Sequence, residues 1–180
     1  MVKKIVESRF VNIPDEVKVT VTGSQVEVKG PLGILSRIFS DRISIKIDGN
    51  KVIAEAYWPD KRLLALVGTV IAHLKNMIIG VTKSFTYKLK VVFSHFPISV
   101  KVQGDRVIIE NFGGEHSSRT AKIVGDTKVR VESDDIIVTG NNKESVSQTA
   151  ANIEKATHIR KKDPRVFLDG IYVYERNLGR

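Results

Sequence analysis

Val17-Lys-Val19-Thr-Val21-Thr-Gly23-Ser-Gln-Val26-Glu-Val28 and Ile98-Ser-Val100-Lys-Val102-Gln-Gly104-Asp-Arg-Val107-Ile-Ile109 are one pattern written twice. Aligned positions lie 81 residues apart, from Val17 and Ile98 through Gly23 and Gly104 to Val28 and Ile109, and Gly33 and Gly114 keep the same offset. Each copy alternates apolar and polar residues, turns at a glycine and alternates again, which is the pattern of a half-buried β-hairpin. A repeat of this period divides the 180 residues into two tandem domains, 1–83 and 84–180.

Outward from the hairpins, Ile13-Pro14 reads as extended, because proline pushes the preceding residue out of the α region. Strands are expected near 17–22, 25–29, 34–39, 43–48 and 51–57, with Asp48-Gly49-Asn50 as a hairpin turn. Gly30-Pro-Leu-Gly33 is a turn, not a phosphate loop, since the Lys-Ser/Thr pair and following helix are missing. Then the period changes. Pro59-Asp60 opens a helix in which Leu63, Leu66, Val67, Val70, Ile71, Leu74, Met77 and Ile78 form an apolar stripe, with His73 and Lys75 off it in solvent. Gly80 is the expected stop. The second copy repeats the programme, with strands near 84–93, 98–103, 106–110, 115–123, 127–132 and 135–139. A shorter, less apolar helix over 143–157 carries Val146, Ala150, Ile153 and Ala156 on one face. The fold class is α+β, two homologous domains, each a small, mostly antiparallel sheet packed on a helix.

Apolar residues make up 42% of the chain and there is no cysteine, which removes disulfides and thiolate metal sites and fits a reducing compartment. The N-terminus lacks the apolar core of a secretory signal. The most apolar stretch, Leu63 to Val81, is broken by His73, Lys75 and Asn76, so it reads as a core helix rather than a membrane span. A soluble intracellular protein is the expectation.

The net charge of +9 favours a polyanionic partner, nucleic acid ahead of membrane. Its distribution is uneven. Residues 1–83 hold 13 basic and 8 acidic side chains, residues 84–154 hold 9 of each, and residues 155–180 hold 7 and 3. The positive charge of the second half therefore sits wholly in its final segment, which has no counterpart in the first copy. There Lys155, His158, Arg160, Lys161, Lys162, Arg165, Arg176 and Arg180 are interleaved with Phe167, Tyr172 and Tyr174, and Pro164 and Gly170 bend the chain. Cations meet phosphates, aromatics stack on bases or riboses, and a glycine permits close approach to a sugar–phosphate surface. Phe167 and Tyr172 have an equally weighted structural role, pinning the segment to its own sheet.

Lys161-Lys-Asp-Pro-Arg165-Val-Phe167-Leu-Asp169-Gly170-Ile171-Tyr172-Val173 resembles the C-terminal signature of the large-subunit ribosomal protein six family in its archaeal and eukaryotic form. The Gly30-Pro-Leu-Gly33 turn, Asn76-Met-Ile-Ile-Gly80-Val-Thr, and Phe85-Thr-Tyr87-Lys-Leu-Lys leading to His95-Phe96-Pro97-Ile98 are similar to the family in order along the chain. The Tyr-Lys-Gly-Lys-Gly tail pattern of bacterial members is absent, and the short C-terminus after Gly170 favours the archaeal branch. The resemblance implies a cytoplasmic ribosomal protein at the base of the stalk that binds large-subunit rRNA near the sarcin–ricin loop and touches neighbouring ribosomal proteins. It implies that the segment from Lys155 to Arg180 is the main rRNA contact, with Arg160, Lys161, Lys162, Arg165 and Arg176 on phosphates, and Lys143 as a weaker candidate. Lys3, Lys4, Arg37 and Arg42 of the first domain have two readings, rRNA contact or ordinary surface charge, with the second favoured.

Two other readings stand beside this one. A free-standing structured-RNA-binding or assembly module would show the same duplication and basic segment. An enzyme would have to use His116-Ser117-Ser118 beside Asp126, the one patch that hints at nucleophile and base, and the four histidines have no metal-ligand spacing. No cofactor, metal, membrane or small-molecule substrate is expected.

Overall fold

The computed structural model describes residues 5–159, 162–163 and 165–178. The chain divides into two compact units, Met1–Lys83 and Ser84–Arg180. In the first, strands β1 (Val6–Asn12), β2 (Lys18–Thr22), β3 (Gln25–Gly30), β4 (Gly33–Ile38), β5 (Ser44–Asp48) and β6 (Lys51–Tyr57) precede helix α1 (Lys61–Lys83). They form two antiparallel three-stranded sheets rather than one, ordered β1-β6-β5 and β2-β3-β4. The repeated phrase is the β2–β3 hairpin, turning at Gly23 with φ 61°. Its alternation puts Val26 and Val28 in the core with Val52, Ala54 and Ala56 of β6.

Asp60 caps α1: its carboxylate accepts the Leu63 N–H at 2.7 Å and its carbonyl accepts the Leu64 N–H at 3.0 Å. By length and composition alone α1 could cross a membrane. Its buried stripe of Val67, Val70, Leu74, Met77, Ile78 and Val81 instead meets β1, β3, β4 and β6. Gly80 does not end the helix. It lies buried within it, and the helix runs three residues further to Lys83, stopping at Ser84 in a left-handed conformation (φ 54°). Complete burial of Val81 outweighs the roughly 1 kcal/mol that a glycine costs inside a helix. His73 is half-buried, its ring 6.4 Å from that of Phe39, rather than fully in solvent.

The end of α1 also explains Gly30. A Cβ there would lie 2.6 Å from Val81 Cγ2 and 2.9 Å from the Val81 carbonyl oxygen, and the Leu32 N–H donates to that oxygen at 2.9 Å. Gly30→Ala is expected to destabilise the first unit by about 1–3 kcal/mol, because the clash includes backbone that cannot rotate away. Chemical denaturation of the full chain measures this.

The second unit repeats the order with β7 (Phe85–Val92), β8 (Ser99–Gln103), β9 (Arg106–Glu110), β10 (Arg119–Lys122), β11 (Lys128–Glu132), β12 (Asp135–Gly140) and helix α2 (Lys143–Ala156). Leu89, Ile109, Ile136, Val138, Val146 and Ile153 are fully buried. The strand expected over 115–123 is confined to β10, because Phe112–Gly114 form a 3-10 turn and the next residues loop out. Ser133 (φ 53°) takes the left-handed position that Gly49 (φ 54°) holds in the first copy, so the hairpin survives with different chemistry.

Two strands escaped the sequence reading. One is β1, whose apolar residues do not alternate cleanly. The other is β13 (Gly170–Leu178), which pairs antiparallel with the free edge of β7 and completes a sheet ordered β11-β12-β7-β13. The aromatic segment is therefore a structural strand, with Ile171 fully buried.

Candidate nucleic-acid interface

Between α2 and β13 the chain crosses the end of the second unit, and four sets of contacts fix its path. At the helix end, the Thr157 hydroxyl donates to the Glu154 carbonyl at 3.1 Å and accepts the Ile171 N–H at 3.0 Å, tying α2 to β13. Arg119 Nη1 donates to the Ala156 carbonyl at 2.8 Å, satisfying one of the carbonyls that a helix C-terminus leaves open. Glu115 holds Arg119 from the other side at 2.8 Å, with the Phe112 ring beneath the guanidinium at 4.4 Å. The Arg119 hydrogen bond in turn keeps the Glu115 carboxyl below its usual range.

The next contact centres on Asp169, which is 2% exposed. Its carboxylate accepts the Ser94 N–H at 2.8 Å, the His95 N–H at 3.3 Å and stands 3.1 Å from His95 Nδ1. Burial alone would raise this carboxyl, but the Ser94 amide, the His95 ring and the His95 amide together outweigh it, and the net shift is downward. The loop after β7 is thereby clamped to the residues before β13.

On that clamp the aromatics stack. The His95 ring lies 4.9 Å from Phe167, tilted by 14°, and Lys162 Nζ sits 4.0 Å from the Phe167 centroid on the same ring system. Finally, Asp163 turns the backbone, its carbonyl accepting the Val166 and Phe167 N–H groups at 3.1 and 2.9 Å. Its carboxylate takes the Arg165 guanidinium at 2.9 Å and is held low by that group and by the Arg165 amide.

Lys155, His158, Lys162, Phe167 and Tyr172 thus come together around a cleft of about 300 Å³, with Thr157, Asp169 and Ile171 in its wall. Arg165 stands beside it, highly exposed, with much of its charge answered by Asp163. The openness expected at Gly170 is used by the protein itself: a Cβ there would meet the Tyr172 ring at 3.0 Å, so the ring folds back over the glycine. Lys143 and Arg176 are not part of this cluster. Lys143 begins α2, about 20 Å along the helix from Thr157, with its Nζ 5.9 Å from the Phe85 ring. Arg176 lies opposite Tyr87, near that same end of the sheet. Arg160, Lys161 and Arg180, like Lys3 and Lys4, lie outside the described residues.

The residues missed were His95, Asp169, Thr157 and Arg119. An aspartate inside a basic run is the only linear hint of the clamp, and its partners are 74 and 75 positions away. His116, Ser117, Ser118 and Asp126 are all exposed. Among the described residues no group of histidine, aspartate and glutamate could hold a metal.

Asp169→Asn is expected to destabilise the second unit by about 1.5–3 kcal/mol, the usual worth of hydrogen bonds to a charged group. The pH dependence has a definite sign. The folded carboxyl lies below its unfolded value near 3.9, so its contribution is complete above about pH 4 and is lost as pH falls through the folded value. Urea melts of wild type and variant should converge as the pH drops below 4.

The fold and this cluster define a tandem-repeat α+β protein whose second copy carries an ordered cationic and aromatic surface. The family model of ribosomal protein L6 matches the chain twice, over residues 13–84 and 96–170. The chain is 50% identical over 184 residues to the large ribosomal subunit protein uL6 of Ignicoccus hospitalis, covering 99% of both chains. It is 52% identical to the protein of that name from Methanocella arvoryzae, over 92% of this chain and 94% of the relative. With that from Aeropyrum pernix the identity is 46%, over 99% of both. The chain belongs to the ribosomal protein L6 family, a family of ribosomal proteins and not of enzymes.

Proposed function

We propose that the chain is a structural constituent of the large ribosomal subunit in the cytoplasm and that its second unit anchors it to large-subunit rRNA. Its relatives carry the name of a large-subunit protein over nearly their whole length, and the resemblance of the C-terminal signature points to the sarcin–ricin and stalk-base region. The observation that carries the site is the cleft that Lys155, His158, Lys162, Phe167 and Tyr172 share, with the Asp169 clamp fixing His95 beneath Phe167 and Lys162. Preorganised cations lose little side-chain freedom on meeting phosphates, and counterion release supplies the affinity. A-form RNA hides its base edges in a narrow groove, so a rigid surface of this kind reads backbone shape, while Tyr172 and Tyr174, both about half exposed, offer rings for stacking. Contacts to neighbouring ribosomal proteins at the stalk base complete the reading.

Crosslinking of the tagged full chain to RNA in cells, mapped at single nucleotides, tests it. Crosslinks should concentrate at one large-subunit rRNA site and vanish for Lys155→Gln/Lys162→Gln, while His116→Ala should leave them unchanged. Crosslinks scattered over many RNAs would sink the ribosomal reading in favour of a free-standing module. An unaffected double variant would move the anchor elsewhere on the chain.

A further inference from the structure

The duplication supplies an internal control for one edge of the first unit. β1 and β7 occupy the same place in their sheets, beside β6 and β12. Val11 opposes Val52 as Leu89 opposes Ile136, one residue after the equivalent starts of β6 and β12 at Lys51 and Asp135. In the second unit the outer edge of β7 is taken by β13. In the first unit, among the described residues, no strand pairs with the outer edge of β1.

The direction of the backbone groups follows from parity. Trp58 donates its N–H to the Ile5 carbonyl and Ile13 donates to that of Asn50, so the odd-numbered residues of β1 bond to β6. The N–H and C=O groups of Val6, Ser8, Phe10 and Asn12 therefore face the open edge. Val91 donates to Asp134 in the second unit, so there too the odd residues serve the inner neighbour and the even ones, Thr86, Lys88, Lys90 and Val92, serve β13. Ser8, Phe10 and Asn12 stand where Thr86, Lys88 and Lys90 do.

Of the devices that keep sheet edges apart, β1 has charge on its inner row, where Arg9 pairs with Glu7 at 3.5 Å and reaches Gly68 of α1. The strand spans seven residues with no proline, lysine or bulge, and its solvent face shows Val6 (42% exposed) and Phe10 (57%) beside Tyr57 (53%) of β6. From this we infer that the outer edge of β1 is a docking site for an extended segment of a partner protein, which adds to the sheet as an antiparallel strand in the way β13 adds to β7. The edge it meets differs from that of β7 at Ser8, Phe10 and Asn12, and most in chemistry at Phe10. β13 sets Glu175 against Lys88, in a 2.7 Å ion pair. In the first unit Phe10 replaces Lys88, with Lys51 Nζ of β6 4.6 Å from its ring, so the partner places an apolar or aromatic side chain beside that ring. A polypeptide fits this edge and RNA does not, because the exposed groups are a ladder of peptide donors and acceptors spaced for another strand.

The inference rests on the ribosomal reading for the identity of the assembly, and the test separates the two. Hydrogen exchange of the full chain, free and in purified large subunits, is read by fragmentation mass spectrometry over residues 5–12. The amides of Glu7, Arg9 and Val11 should be protected in both states. Those of Ser8, Phe10 and Asn12 should exchange quickly when free and at least about a hundredfold more slowly in the subunit. A photoreactive benzoylphenylalanine at Ser8 should crosslink to another protein of the subunit. Ser8→Pro removes an outward N–H while sparing the β6 ladder; it should unfold cooperatively like wild type yet leave Phe10 and Asn12 fast-exchanging in subunits. Should that variant fail to fold, the wild-type exchange pattern still decides. Fast exchange of the even amides in subunits, or crosslinks to rRNA or to a second copy of this chain, would overturn the strand. A chain absent from large subunits altogether would overturn the ribosomal reading as well.

Discussion

Ending the chain after Thr157 is expected to abolish the cooperative folding of the second unit, not simply to delete a basic tail. β13 supplies the fourth strand of its sheet and the fully buried Ile171, and its loss would leave Leu89 and Val91 of β7 partly uncovered. Truncation of one buried isoleucine to alanine costs about 2–5 kcal/mol. Losing the β7–β13 ladder and the Asp169 clamp adds to that, against the 5–15 kcal/mol that holds a typical domain together. Calorimetry of the truncated chain should lack the transition assigned to the second unit, and near-ultraviolet circular dichroism should show the loss of fixed packing around its aromatics. Ile171→Ala in the full chain gives the graded form of the result, with a stability loss of about 2–5 kcal/mol at unchanged net charge. A truncated chain that unfolds like wild type would mean that β13 contributes little to the sheet it completes. The practical consequence is that loss of RNA binding on truncation says nothing by itself about contacts.

Point substitutions that keep β13 answer the binding question. Lys155→Gln/Lys162→Gln is expected to weaken binding to the rRNA fragment that crosslinking identifies by about a hundredfold. That takes roughly 1.5 kcal/mol for each lost charge-assisted contact. The slope of log K against log salt should flatten by about 1.4–1.8, two phosphates at 0.7–0.9 each. Arg165→Gln should have a smaller effect than Lys162→Gln, because Asp163 already answers the Arg165 charge whereas Lys162 is held over the Phe167 ring. Lys101, paired with Glu110 at 2.8 Å on another sheet, serves as the control, and Lys101→Gln should leave the slope unchanged. Filter binding between 50 and 300 mM salt, approximate limits chosen to span the screening range, reads all four variants. An unchanged slope for the double variant would remove Lys155 and Lys162 from the phosphate contacts.

The duplication, the α+β class, most of the strands, both helices and the concentration of positive charge in the last segment are legible in the linear chain. These are local or periodic signals. Alternation marks Val26 and Val28, a three- and four-residue spacing marks Val67, Val70 and Leu74, and glycines mark turns, so each is legible within a few residues of chain. The rest came from contacts made when the chain folds. Folding placed Asp169 against Ser94 and His95, stacked Phe167 on His95, set Arg119 on the end of α2 and paired β13 with β7. Those contacts join residues far apart in the chain, and nothing near Asp169 in the sequence tells that its carboxylate will be buried. The same holds for the edges. β1 and β13 read weakly because alternation fails in both, at the adjacent Phe10 and Val11 and at the register shift between Val173 and Glu175, and whether an edge is closed depends on another strand arriving. In the second unit that strand comes from the chain's own end, which turned a basic segment into part of the core.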